Sequence, residues 1–357
     1  MLTRFIFLPV IPINPYPNMF VPGSIPNMIL SNSFKKKYLN IFKYLSKNTF
    51  FISLPVFVIA IVYIFLTFKN QQHLLDSFLK NFSFDLFPFL LLVLIFQFIN
   101  WTLEAIKLNI LLISSDNYNF YDVIKSVYAG NLTALITPKR LGNFIGRSWL
   151  LNEKVDHIIT ASIIGNIAQL FSTVFMAFIS FITLTFYEIE NLKLFNSYFL
   201  FLSIIYGIIL MLISFLFFDK KWYRIFDRFC HLSSIKTAFK YLSKNTNSII
   251  KINVLLISIA RYWIFIFQYY ILFMAFKIPI DFIDIVVFVG ILFGLVTFIP
   301  SFAPGNLGTR EALSIFILGG SIIGIQLSSI SFIVWIMNVA ISALIGGFFL
   351  LNKDYKR

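Results

Sequence analysis

Six long apolar runs, at residues 50–68, 84–108, 158–187, 195–218, 249–276 and 330–351, are separated by short polar or basic stretches. Each approaches or exceeds the roughly 20 apolar residues that a helix needs to cross a bilayer. The runs are continuous and do not alternate apolar with polar, which excludes the ten-residue strands of a membrane barrel. The pattern predicts an all-α, polytopic membrane protein with six full transmembrane helices.

Two regions break the pattern. Residues 120–157 begin apolar but carry Asp122, Lys125, Gly130 and Asn131, then Pro138, Arg140, Gly142, Asn143, Gly146 and Arg147. A short helix that breaks and turns back suits them better than a crossing. The second is 282–325, two apolar arms (282–299 and 312–325) around a stretch holding Pro300, Pro304, Gly305, Asn306, Gly308, Arg310 and Glu311. Unpaired backbone groups are costly in hydrocarbon, so such a break belongs inside protein or beside a wet cavity. The second arm is short for a crossing. A re-entrant hairpin is therefore favoured, and two short crossings giving eight spans is the alternative.

Composition agrees: 59% of the residues are hydrophobic and 12% charged, against about 25% charged in a soluble domain. The net charge of +14 does not point to nucleic acid, because the basic residues sit between apolar runs. Lys35, Lys36, Lys37, Lys43 and Lys47 precede the first run, Lys220 to Lys251 form the most basic loop, and Lys353, Lys356 and Arg357 follow the last. The cytoplasmic bias of Lys and Arg then places both termini in the cytoplasm, and the plasma membrane is the expected location. Residues 1–49, with Pro9, Pro12, Pro15, Pro17, Pro22 and Pro26, read as a poorly ordered leader and basic segment. Residues 50–351 form the membrane domain and 352–357 a tail. Cys230 is the lone cysteine and the three histidines are scattered, so neither a disulfide nor a metal site is expected. No phosphate-loop motif is present, and no cofactor is expected.

The two broken regions echo each other. Gly142-Asn143 is followed by Arg147, and Gly305-Asn306 by Arg310, at the same spacing and with proline upstream. On the charge-based topology the two enter from opposite faces, the inverted arrangement that puts a transport site near the midplane. Glycines admit close approach, helix N-termini present free N–H groups, and arginine forks suit phosphate. The expectation is a phosphate headgroup held between Arg147 and Arg310. The structural alternative pairs Arg310 with Glu311, and Arg140 or Arg147 with Glu153. Glu104 and Lys107 lie three apart on one helix face and can pair, either toward the bundle or as an interfacial pair beside Trp101. Arg261 lies in the first half of a predicted span.

With Thr137-Pro138, Arg140, Gly142 and Arg147, and later Pro304-Gly305, Leu307-Gly308 and Arg310-Glu311, the chain resembles the membrane domain of lysylphosphatidylglycerol synthases, a flippase-like family. Asn100, Trp101, Glu104 and Lys107 fit it as well. The resemblance spans about residues 50–350. It implies a bundle with re-entrant helices that moves a lipid between leaflets. The implied headgroup residues are Arg140, Gly142, Asn143, Arg147, Pro304, Gly305, Asn306, Gly308, Arg310 and Glu311, supported by Trp101, Glu104, Lys107 and Arg261. The family carries an acidic residue where this chain has Asn143, which weakens any preference for a cationic headgroup. Full synthases append a soluble aminoacyl-transferase domain, for which no room remains before Arg357, so synthase activity is not expected.

The expected function is therefore translocation of a phosphate-bearing lipid, a phospholipid or a polyprenyl-phosphate glycan, with an anionic headgroup lipid as partner. The alternatives are a membrane-embedded transferase drawing on Glu104, Asp122, Asp281, Asp284 or Glu311, or a non-transporting subunit of a separate lipid-modifying enzyme.

Overall fold

A computed structural model describes residues 84–112, 118–137, 142–151, 155–186, 198–218, 248–299, 304–318 and 321–352. The predicted span at 50–68, the basic loop at 219–247, both chain ends, Pro138 and Arg140 lie outside the described residues. Among the described residues every regular element is helical. In chain order these are α1 Phe87–Leu111, α2 Phe120–Leu135, α3 Asn143–Leu151, α4 Val155–Phe186, α5 Phe199–Phe218, α6 Ser248–Ala275, α7 Phe282–Phe298, α8 Thr309–Leu318, α9 Ser321–Trp335 and α10 Ser342–Leu351. A π-helical segment, Ile336–Ile341, joins α9 to α10. Among the described residues five helices are long and apolar enough to cross a membrane: Phe87–Leu111, Thr160–Phe186, Phe199–Phe218, Ser248–Ala275 and Gln326–Leu351.

The first broken region folds as a helical hairpin. Asn119 caps α2 by accepting the Tyr121 N–H at 3.2 Å, and α3 packs closely back along α2. Small residues permit this. A Cβ on Gly146 would stand 2.4 Å from the Ala129 carbonyl oxygen, and one on Gly142 would stand 2.3 Å from that of Thr133. Thr137 shapes the turn, donating to the Thr133 carbonyl at 2.8 Å and accepting the Gly142 N–H at 2.7 Å. On its other side α2 meets α10, where a Cβ on Gly346 would lie 2.0 Å from the Tyr128 carbonyl oxygen.

The second broken region leads from α7 through the turn at Pro304–Asn306 into α8. Helix α8 stops at Leu318, and α9 restarts at Ser321 to continue, through the π segment, as the last long helix. α8 packs on α9, and α7 packs on α4.

Helix α1 shows how the bundle is oriented. Val93, Gln97, Asn100, Glu104, Lys107 and Leu111 are all buried, and alternate steps of four and three residues keep them on one stripe. Leu91, Ile95, Phe98 and Ile99 are exposed on the other side. Helix α6 repeats the arrangement with Lys251, Ser258, Arg261 and Gln268 turned inward. A helix with its polar stripe inside and its apolar face outside is the reverse of a soluble amphipathic helix.

Candidate functional site

The polar stripes of α1 and α6 meet at Glu104. Its carboxylate accepts from Lys107 Nζ at 2.7 Å, one turn further along α1. Its Oε1 receives Arg147 Nη2 of α3 at 3.0 Å, and its Oε2 also receives Arg261 Nη1 of α6. Three cations thus share one carboxylate, and all four side chains are buried. Each cation has further support. Arg147 donates to Ser162 Oγ at 3.2 Å. Lys107 donates to the Gly165 carbonyl at 3.2 Å, and Gly165 leaves room for the lysine stem, since a Cβ there would be 3.1 Å from Lys107 Cε. Arg261 Nε donates to Asn100 Oδ1 at 2.8 Å, its Nη1 reaches Gln169 Oε1 at 3.3 Å, and its Cζ lies 5.5 Å from the centre of the Trp101 ring.

From Asn100 the polar system continues away from the charges. Asn100 Nδ2 donates to Asn338 Oδ1 at 3.3 Å, Asn338 Nδ2 donates to Gln268 Oε1 at 2.9 Å, and Gln268 Nε2 donates to the Val93 carbonyl at 3.2 Å. Asn338 belongs to the π segment, where the altered turn projects side chains off the α-helical register, a form common at functional positions. Measured along α1, Val93 to Lys107 is about 21 Å at 1.5 Å per residue, roughly two-thirds of a 30 Å hydrocarbon core.

Arg310 stands in a different place. It is buried at the start of α8, and its Nε and Nη2 have no acceptor among the described residues. Close by is a chain of hydroxyls: Ser314 Oγ donates to the Arg310 carbonyl at 2.7 Å, Ser314 and Ser331 hydrogen-bond at 2.6 Å, and Ser331 bonds Tyr269 at 3.3 Å. Tyr269 follows Gln268 on α6, so adjacent residues of one helix join the two polar systems. Glu311 turns back to accept the Gly308 N–H. That is the carboxylate arm of a capping box, which also places negative charge at the positive end of α8.

The structure therefore rearranges the expected constellation. Glu104, Lys107, Arg147, Arg261 and Trp101 come together. Among the described residues no contact joins Arg147 to Arg310, and Arg147 pairs with Glu104 where a shared headgroup or Glu153 was expected. Glu153 lies outside the residues whose side chains are described. Glu311 holds the start of α8. The two Gly-Asn pairs also do different work. Gly142 is needed for close packing on Thr133, whereas Gly305, Asn306 and Gly308 adopt left-handed backbone (φ 62°, 60° and 81°). The broken regions meet instead at a cavity of about 10 Å³, lined by Asn131 of α2, Gly305, Val339 and Ser342 among others. Asn143, first in α3, lies against Gly130. Pro304 opens a 3₁₀ turn, Pro304–Asn306, ahead of α8. The sequence reading missed Gln97, Gln169, Gln268, Tyr269, Ser331 and Asn338. For Gln97 and Gln268 a signal exists, since each continues a polar stripe at helical spacing within an apolar run.

A family model described as the lysylphosphatidylglycerol synthase transmembrane region matches residues 52–346. No curated protein matches the chain. No solved structure matches it either.

Proposed function

We propose that this chain, which belongs to the lysylphosphatidylglycerol synthase transmembrane-region family, is a lipid translocator of the plasma membrane that takes an anionic phosphate headgroup at Arg310. The family and the long apolar helices make it a multi-pass membrane protein with a role in lipid handling. The observation that carries the finer reading is the state of Arg310, a buried guanidinium with two nitrogens lacking acceptors among the described residues. Buried guanidinium nitrogens without acceptors are costly, and a phosphate matches their planar fork.

The polar ladder supports translocation over simple binding. It continues from Tyr269 and Gln268 to a centre where cations outnumber the carboxylate, so a headgroup leaving Arg310 meets polar and positive groups along α6. In this reading the hairpin α2–α3 enters from the cytoplasm, α7–α8 enters from outside, and both chain ends are cytoplasmic. The chain is a translocator and not a transferase.

Reconstitution tests the proposal. Full-length protein is placed in liposomes with fluorescent phosphatidylglycerol or a labelled polyprenyl phosphate, and the fraction accessible to a membrane-impermeant quencher is followed over time. The expected result is accelerated redistribution of one lipid, abolished by Arg310→Ala and partly retained by Arg310→Lys. Transport by folded Arg310→Ala at the wild-type rate would overturn the headgroup assignment.

A further inference from the structure

An apolar cavity of about 230 Å³ lies between α4, α5, α7 and α8, lined among others by Phe181, Leu202, Ile291, Leu295, Phe316 and Ile317. We infer that this cavity seats one hydrocarbon chain of the lipid whose phosphate is taken by Arg310; the inference rests on the translocator reading above.

Size and chemistry come first. Protein interiors pack at crystal-like density and leave few voids larger than a water molecule. A space of this volume exceeds the engineered 150 Å³ apolar cavity that stays dry and accepts benzene. Its named lining side chains offer water no hydrogen bond, so an apolar occupant is favoured. Access follows from exposure: Phe181 and Ile291 are almost fully buried, but Phe316 is 49% exposed. The cavity therefore borders the lipid-facing surface at Phe316.

Register then ties the cavity to the charge. Arg310, Ser314 and Ile317 are spaced i, i+4, i+7 and share the buried face of α8. Seven residues of helix advance about 10 Å. One helix thus offers an acceptor-poor guanidinium at its first turn and an apolar recess two turns on. That polarity matches a phosphate joined to a hydrocarbon chain. An acyl chain and an isoprenoid chain share this chemistry, and the experiment separates them.

Full-length protein is reconstituted with phosphatidylglycerol carrying a diazirine in one acyl chain, or with an isoprenyl phosphate carrying one in its chain, then irradiated and mapped by peptide mass spectrometry. Adducts are expected to concentrate several-fold at residues 199–202 and 315–317 over the exposed α1 residues Leu91 and Ile95. The arm that labels identifies the source of the chain. Leu202→Trp and Leu295→Trp fill the space and are expected to remove the enrichment, while Ile317→Met, which conserves volume, retains it. Ile317→Phe serves as the filling variant if the tryptophans do not fold. Adducts spread evenly over the cavity lining, Leu91 and Ile95 identify surrounding bilayer lipid only and overturn the inference. So does enrichment that persists in a folded, filled variant. Cavity adducts in a protein that moves no lipid leave the chain seat standing and remove the translocator reading. Arg310-dependent transport without cavity adducts does the opposite.

Discussion

Glu104 on α1 receives Arg147 of the first hairpin at 3.0 Å, an ion pair 43 residues apart in sequence that fastens the hairpin to the long helices. The same carboxylate serves Lys107 and Arg261. Removing it leaves three cations facing one another. Breaking a buried pair from one side typically costs about 3–5 kcal/mol, because the remaining charge loses compensation. Glu104→Gln is therefore expected to lower the thermal midpoint in detergent sharply. Lys107→Met is expected to lower it much less, since it leaves Glu104 with two arginines and reduces the surplus positive charge. Size-exclusion recovery after a heating series measures both. Equal losses in the two variants would contradict the shared-carboxylate account.

The hairpin depends on backbone proximity as much as on charge. At Gly146 a Cβ would be 2.4 Å from a carbonyl oxygen, an atom that moves only with the helix. At Gly207 the nearest atom is 3.0 Å away and belongs to the Phe178 side chain, which can rotate. Gly146→Ala is expected to separate α2 from α3 and reduce folded yield, whereas Gly207→Ala is expected to be tolerated. Limited proteolysis of membrane preparations distinguishes them. A Gly146→Ala protein as resistant as wild type would show that α3 can shift away without loss.

Much of this was legible in the sequence, for identifiable reasons. Apolar runs longer than a bilayer crossing have few physical alternatives, so α1, α4, α5 and α6 lie within a few residues of expectation. The end of α2 at Leu135 and the start of α3 at Asn143 were legible because proline and glycine cannot continue a helix cheaply. The partner of Arg147 was not. An arginine fork accepts any carboxylate or phosphate in reach, and Glu104 is brought within reach only by the packing of α3 near α1. The shared Gly-Asn spelling misled for a related reason: glycine answers both to crowding, as at Gly142, and to positive φ, as at Gly305. Spelling alone does not separate the two.

The left-handed turn before α8 gives a paired test. Gly305 has φ 62°, and an added Cβ would stand 2.9 Å from Trp335 Nε1. Left-handed backbone costs a residue with a Cβ roughly 1–2 kcal/mol, so Gly305→Ala is expected to destabilise by at least that amount. Asn306 has φ 60°, and asparagine bears this conformation better than most residues. Asn306→Gly is expected to be neutral within about 0.5 kcal/mol, since relief of strain offsets a more flexible unfolded chain. Chemical unfolding in mixed micelles reads both changes, and a destabilised Asn306→Gly would assign its side chain a further contact.

Asn338 is the residue whose loss divides the polar ladder. Its amide joins Gln268 at 2.9 Å to Asn100 at 3.3 Å, and donates also to the Val334 carbonyl at 3.0 Å. Asn338→Leu keeps similar bulk but strands the Gln268 oxygen and one Asn100 donor in a buried setting, at about 1–3 kcal/mol for each unsatisfied group. Gln268→Leu alone strands one donor of Asn338. In the double variant Asn338→Leu/Gln268→Leu two facing apolar side chains replace the pair, so the combined loss is expected to fall below the sum of the single losses. Contacting residues characteristically show coupling of about 0.5–3 kcal/mol in such a cycle. Thermal midpoints of the four proteins measure it. Strict additivity would mean that the 2.9 Å contact contributes nothing, and that the π segment is fixed by its packing alone.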